Sequence, residues 1–253
     1  MSLVIEDMPD LGVTRLSRWI FNCYILRTDE GTVVVDAGLP HAAADLAARI
    51  DGPLHAVVAT HGHSDHVAGA PELAAHHGAP IWLPTATLGY LDGTRPRTPT
   101  LAAAARIWPT YMDQPFDRIG LAGFVSGAWV AGYGTPAGMR WRGSAPEGGL
   151  ADGQPLPGAP DWTVINAEGH TDDSIALWNP ATRTLLSGDA VLTARGKVWH
   201  TPEVVDPSSA ASTRQRLERL PVAHLLPGHG RPVHANETVW SEQRSRSHAP
   251  RAR

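Results

Sequence analysis

Short apolar runs alternate with alanine-rich amphipathic stretches through the first half of the chain. Trp19 to Leu26 and Thr32 to Val35 read as strands, and Thr28-Asp29-Glu30-Gly31 between them has the length and glycine of a hairpin turn. His41 to Ile50 has helical composition and stops at the breaker Asp51-Gly52-Pro53. His55 to Thr60 is a short apolar run that fits a buried parallel strand. A polar loop, His61 to His66, leads into a helix that reaches about His77, and Ile81 to Leu83 is strand again. The order so far is β-α-β-α-β.

From Pro84 to Pro160 the pattern changes. Gly and Pro are dense, Trp and Tyr are scattered, and only Leu101 to Trp108 looks helical, so the stretch is expected to be a lid or insertion within one domain spanning residues 1–240. Strands resume at Trp162 to Asn166, Ser174 to Trp178, Arg183 to Ser187 and Val222 to Leu226, with an amphipathic helix over Ser208 to Leu220. The tail, residues 241–253, is basic and expected to be frayed and solvated.

Composition narrows the chemistry. At 253 residues the chain is long enough to build a core without crosslinks. Its one cysteine, Cys23, excludes an internal disulfide and a thiolate zinc cluster, and is expected to pack as a small core residue. With 21 basic against 25 acidic residues and no basic cluster in the body, a nucleic-acid partner is disfavoured. No apolar run is long enough to span a membrane and no signal peptide is evident, so a cytoplasmic location is expected. The unusual count is 13 histidines.

Three of them crowd into His61-Gly62-His63-Ser64-Asp65-His66, just after a predicted buried strand. His61 and His63, two apart on an extended segment, point the same way and can reach one ion; Asp65 and His66, where the chain turns into a helix, can face a second. A merely capping Asp65 would leave the histidines unexplained. His170, Asp189 and His229 each follow a glycine just after a predicted strand, which is where α/β sites assemble. A set of nitrogen and oxygen ligands suits zinc, with manganese or iron as alternatives, and two ions can share a hydroxide that is nucleophilic at neutral pH.

The run His61 to His66, followed in order by Gly169-His170-Thr171, Ser187-Gly188-Asp189 and Pro227-Gly228-His229-Gly230, closely resembles the metallo-β-lactamase superfamily. The resemblance implies an α/β fold, the four-layer αβ/βα sandwich with metals at one edge. It implies that His61, His63 and His170 hold a first divalent metal ion, that Asp65, His66 and His229 hold a second, and that Asp189 bridges the two. Asp65 would also orient the hydroxide and pass a proton to the leaving group. Asp36 is similar to the family's buried aspartate behind the ligands, although the pattern alone fits a turn-former equally well.

One departure stands out. Relatives commonly have glycine where Asp173 stands here, and the pair Asp172-Asp173 reads either as a solvated loop, as hydrogen-bonding support for the ligands, or as a bias of the mouth toward neutral or cationic substrates. The aromatic residues Tyr90, Trp108, Tyr111, Trp129, Tyr133 and Trp141 are candidates to line a pocket, most of them as simple packing; His200 reads as a surface histidine.

The function expected is a dinuclear metal-dependent hydrolase whose bridging hydroxide attacks the carbonyl of a small ester, lactone, thioester or amide. An esterase or lactonase type is favoured. Only 24 residues follow His229, which weighs against a glyoxalase II-type thioesterase with a C-terminal helical domain, and the missing export signal weighs against penicillin hydrolysis. The alternatives are an iron-dependent dioxygenase of the persulfide type and a phosphodiesterase or nuclease on the same fold. The partner expected is a small-molecule substrate, with monomer and homodimer both open.

Overall fold

The computed structural model describes residues 3–100, 102, 105–112, 121–135, 138, 141 and 143–242. Leu3–Met8 (β1), Val13–Arg18 (β2), Phe21–Arg27 (β3) and Thr32–Val35 (β4) pair antiparallel in sequence order. Leu54–Val58 (β5), Ile81–Pro84 (β6) and Gly148–Leu150 (β7) extend the same seven-stranded sheet in parallel. The second sheet has six strands: Pro155–Leu156 (β8), Ala159–Asn166 (β9), Ile175–Asn179 (β10), Thr184–Gly188 (β11), His224–Pro227 (β14) and Val233–His234 (β15). Between β11 and β14 in the chain, Val191–Ala194 (β12) and Lys197–His200 (β13) form a separate hairpin.

The wholly apolar strands are explained by burial on both faces. Along β4, Val33 and Val35 turn toward the second sheet while Val34 turns away; along β5, Ala56 and Val58 face inward and Val57 outward. The inward set meets Trp162, Val164, Ile175, Leu177, Leu186 and Leu226 of the second sheet. The outward set is covered by helices Ala42–Ala47 (α1) and Ala70–His77 (α3), through Leu46 and Leu73. On the far side Ala176, Leu185 and Leu225 are covered by Leu217 of helix Pro207–Glu218 (α7) and by Trp240. The result is the αβ/βα sandwich, two sheets inside and helices outside. Cys23 lies in this core, and burial pushes its thiol upward out of the reactive range.

Several elements differ from the sequence expectation. β1 and β2 are strands although Thr14, Arg15 and Ser17 interrupt the apolar pattern; these polar groups are buried with partners, Arg15 bonding Glu6 and Asn22. β3 starts at Phe21 because Trp19 occupies the turn, at φ 58°. The β12–β13 turn is Arg195-Gly196 with both φ positive, a type I′ geometry carried by an uncommon residue pair.

The stretch expected to carry one helix, over Leu101 to Trp108, holds Thr85–Leu91 (α4), Trp108–Tyr111 (α5) and Leu121–Ala131 (α6), with a 3₁₀ turn at Ala105–Ile107. Positions 101, 103 and 104 lie outside the described residues, as do 243–253 of the tail. The pattern hides α6 because its sequence is apolar all round. Ala128 and Ala131 pack on Ile20, Phe21 and Leu39, while Val125, Trp129 and Val130 are exposed. Ser64–Val67 (α2) is a separate single turn ahead of α3, so Asp65 and His66 are helical. Among the described residues no helix is long and apolar enough to cross a membrane.

Candidate metal centre

Every candidate ligand sits where a strand has just ended at one edge of the sandwich. β5 delivers His61 and His63 on an extended segment, His63 at φ −68°, ψ 144°, and α2 then turns Asp65 and His66 inward. His170 follows β9, Asp189 follows β11 and His229 follows β14. Gly169 permits the first of these approaches: it has φ 130°, and a side chain there would collide with Ala210 of α7.

The structure brings all seven side chains together. His61, His63 and His170 form one group whose ligand atoms lie within 4.8 Å of each other, Asp65, His66 and His229 form a second, and Asp189 joins His61 and His66 in a third. Asp189 stands between the halves, 3.5 Å from His170 Nε2 and 3.0 Å from His229 Nε2 through Oδ2, and 3.5 Å from His66 Nε2 through Oδ1. His61 Nε2, His63 Nε2, His66 Nε2 and Asp189 Oδ1 are buried without a hydrogen-bond partner. The unpartnered His61 and His66 nitrogens and the Asp189 oxygen, with His63 Nδ1 facing His170 Nε2 at 3.3 Å, make up the donor set a divalent cation needs.

The opposite ring nitrogens are held from behind. His229 Nδ1 donates to the Ile20 carbonyl at 3.1 Å and His170 Nδ1 to the Glu203 carbonyl at 2.8 Å, which leaves each Nε2 facing the cluster. His66 Nδ1 donates to Asp36 Oδ2 at 2.8 Å, and Asp36 also accepts from the Thr60 amide and hydroxyl at 2.8 and 2.9 Å. Asp36 is therefore buried support behind the ligands, at φ 58°, and more than a turn-former.

Electrostatics divides the cluster. Burial, reinforced by the neighbouring histidines, holds His61 well below the ordinary histidine range and His63 down to about 3, so both are neutral. Burial would do the same to His66, but Asp36, Asp189 and Asp65 outweigh it and raise it to about 10. His229 is likewise held up, against burial, by Asp189 and Asp65. Burial opposes the ionisation of Asp65 and Asp189; the facing His66 and His229 prevail and keep both carboxylates low.

Other candidates are not brought here. His200 ends β13, bonds Glu218 at 3.1 Å and stacks on Trp240. Tyr133 lines the metal cleft, but Trp129 is 86% exposed, Trp141 donates to the Ser144 carbonyl, and the side chains of Trp108 and Tyr111 lie outside the described residues. Asp173 is not in a solvated loop: it is buried against Gly62 and Thr87, and Asp172 pairs with Arg97.

Two residues were not anticipated. Glu203 lines the cleft beside His170, and Asn22 ties the His229 loop to β3; the one signal for Asn22 is an amide in the middle of an apolar strand. The cleft, about 170 Å³, is shaped by Tyr133, Gly134, Thr135 and Ile107 beside the candidate ligands.

Two mixed sheets with a histidine and aspartate cluster at the strand ends define the class, that of the metallo-β-lactamase-fold proteins. The family profile of the metallo-beta-lactamase superfamily matches residues 18–229, and the chain belongs to that superfamily. It is 25% identical over 249 residues to the probable metallo-hydrolase YflN of Bacillus subtilis (strain 168), covering 88% of this chain and 85% of that protein. Among solved structures it is similar to TTHA1623 in a di-iron-bound form, at 25% identity and TM-score 0.56, covering 87% of this chain and 92% of that one. It shares its fold with a metallo-β-lactamase from Pontibacter korlensis, at 18% identity and TM-score 0.59, covering 98% and 100%. Superfamily membership, the metallo-hydrolase relative and the His/Asp cluster support a metal-dependent hydrolase.

Proposed function

We propose that the protein hydrolyses a small ester, lactone, thioester or amide, using two divalent ions held at the strand ends. The observation behind this reading is the convergence of seven nitrogen and oxygen ligand residues, six buried and His63 half-buried, with His61 Nε2, His66 Nε2 and Asp189 Oδ1 left without a hydrogen-bond partner. In this reading His61, His63 and His170 hold one ion, Asp65, His66 and His229 the other, and Asp189 reaches both. When bound, such a pair supplies a water that ionises near neutral pH and a Lewis acid for the substrate oxygen. Zinc suits the donor set, and the di-iron form of TTHA1623 makes iron the alternative to measure.

The chain's own residues prepare and complete the chemistry. The carbonyls of Ile20 and Glu203 and the carboxylate of Asp36 fix the three outer imidazoles, so that the ligand cage does not reorganise during turnover. Asp65 opens onto the cleft, where its carboxylate orients the attacking water and takes up its proton. Glu203 places a carboxylate on the cleft wall, and Tyr133 gives it an aromatic face.

The test is a panel of nitrophenyl esters, lactones, thioesters and bis-phosphodiesters, with zinc and iron quantified in the same sample. Hydrolysis at carbon with about two metal ions per chain is the expected result. Cleavage of phosphodiesters alone, or oxygen uptake with a single iron, would replace this reading.

A further inference from the structure

Asp173 is a buried carboxylate, 3% exposed. One oxygen, Oδ2, accepts two hydrogen bonds: from the Gly62 amide at 3.0 Å and from the Thr87 hydroxyl of α4 at 2.6 Å. Gly62 is the residue between His61 and His63. On the other side of the same segment, the Thr60 amide donates to Asp36 at 2.8 Å, and the Thr60 carbonyl accepts from the Ile175 amide at 2.8 Å. The extended loop is thus pinned at alternate amides by two buried carboxylates, one from each half of the sandwich. The two ligand histidines sit on either side of the amide that Asp173 holds.

The fit is close enough to constrain the sequence. A β-carbon at position 62 would stand 3.0 Å from Asp173 Oδ2 and 3.6 Å from Thr87 Cγ2, so the carboxylate occupies space that any side chain at 62 would need. Asp173 follows His170 by three positions, so one short turn supplies a ligand of the three-histidine group and the brace for the other two.

We propose that Asp173 is a positioning residue for the metal ligands His61 and His63: its carboxylate fixes the Gly62 amide and couples the three-histidine site to helix α4. This rests on the reading of His61, His63 and His170 as metal ligands. It predicts a site-selective effect, because His66 and His229 of the other group are braced elsewhere, by Asp36 and Ile20.

The experiment is a zinc competition titration of the full chain against a chelating dye, resolving the two equivalents, with His63→Ala used to assign the one held by the three histidines. Asp173→Ala is expected to weaken that equivalent by about 10–100-fold, the range seen when groups behind metal ligands are removed. The other equivalent should change little. Asp173→Asn keeps an oxygen acceptor at the same place and should restore most of the affinity, and Thr87→Val should give a smaller loss at the same equivalent. Near-UV circular dichroism monitors folding, with Thr87→Val standing in if Asp173→Ala does not fold. The proposal is overturned if Asp173→Ala binds both equivalents like the wild type, if both weaken equally, or if Asp173→Asn is no better than alanine. Wild-type protein that binds no zinc, or whose binding ignores His63→Ala, would instead overturn the ligand assignment.

Discussion

The side-chain amide of Asn22 donates to the Gly230 carbonyl at 2.7 Å, across 208 positions of sequence, and to the Pro227 carbonyl at 2.8 Å. Its oxygen accepts from buried Arg15 at 2.9 Å. The Asn22 amide nitrogen of the backbone and the Tyr24 hydroxyl bond the same loop, at Gly228 and Pro227. His229 therefore stands on a platform built by β3. Asn22→Ala strands the buried Gly230 carbonyl and one guanidinium donor, while the Pro227 carbonyl keeps Tyr24, and should cost about 1–3 kcal/mol in chemical denaturation. It should also weaken metal held by His229 more than metal held by His61. A variant as stable as wild type would show that water replaces the amide.

His63→Ala should lower bound metal from about two equivalents toward about one and abolish hydrolysis, because a catalytic pair needs both ions. Metal analysis of dialysed protein, alongside the most active ester of the panel, checks this. Full metal content with retained activity would remove His63 from the centre.

The two halves of the centre should differ in their response to pH. In the metal-free protein His66 is raised to about 10 and His229 lies well above the ordinary range, each against the effect of burial, so both carry protons at pH 7. A metal must displace those protons, and its affinity should rise by about tenfold per pH unit for each proton released. His61 and His63 are held low by burial and are already neutral, so they release none. Calorimetry in buffers of different ionisation enthalpy should count about two protons per chain at pH 7.5, released on filling the Asp65, His66 and His229 half. No net release would contradict this charge distribution.

Gly228→Ala tests how tightly the cage is built. A β-carbon there would collide with Asp189 Oδ1 and come within 2.9 Å of His66 Cε1. The methyl group would enter the space between the ligands, so metal content and activity should fall together while far-UV circular dichroism stays like the wild type. Unchanged metal binding would mean that the loop yields easily.

The sequence carried the centre unevenly, for physical reasons. His61, His63, Asp65 and His66 lie within six positions, so their clustering is visible along the chain. His170, Asp189 and His229 were legible only through their preceding glycines and the family resemblance, since each is alone in its loop. Glu203 was silent and Asn22 showed only as an amide within an apolar strand, because their roles come from tertiary contact. The same holds for the fold. β4 and β5 are pure apolar runs, and they were visible; β2, whose buried Arg15 and Ser17 break the run, was not. Helix α6 has no polar face to set a period, so apolar periodicity could not reveal it.

The ligands are divided between the halves of the sandwich, with His61, His63, Asp65 and His66 from the first and His170, Asp189 and His229 from the second. His63 and His170 are 107 positions apart, so neither half can assemble the centre during synthesis before the other has docked. An ion held by both halves would act as a noncovalent crosslink that the unfolded chain lacks, and mass action would couple metal supply to the stability of the folded protein. Chelation should therefore reach beyond the chemistry of the cleft and loosen the seam between the two sheets.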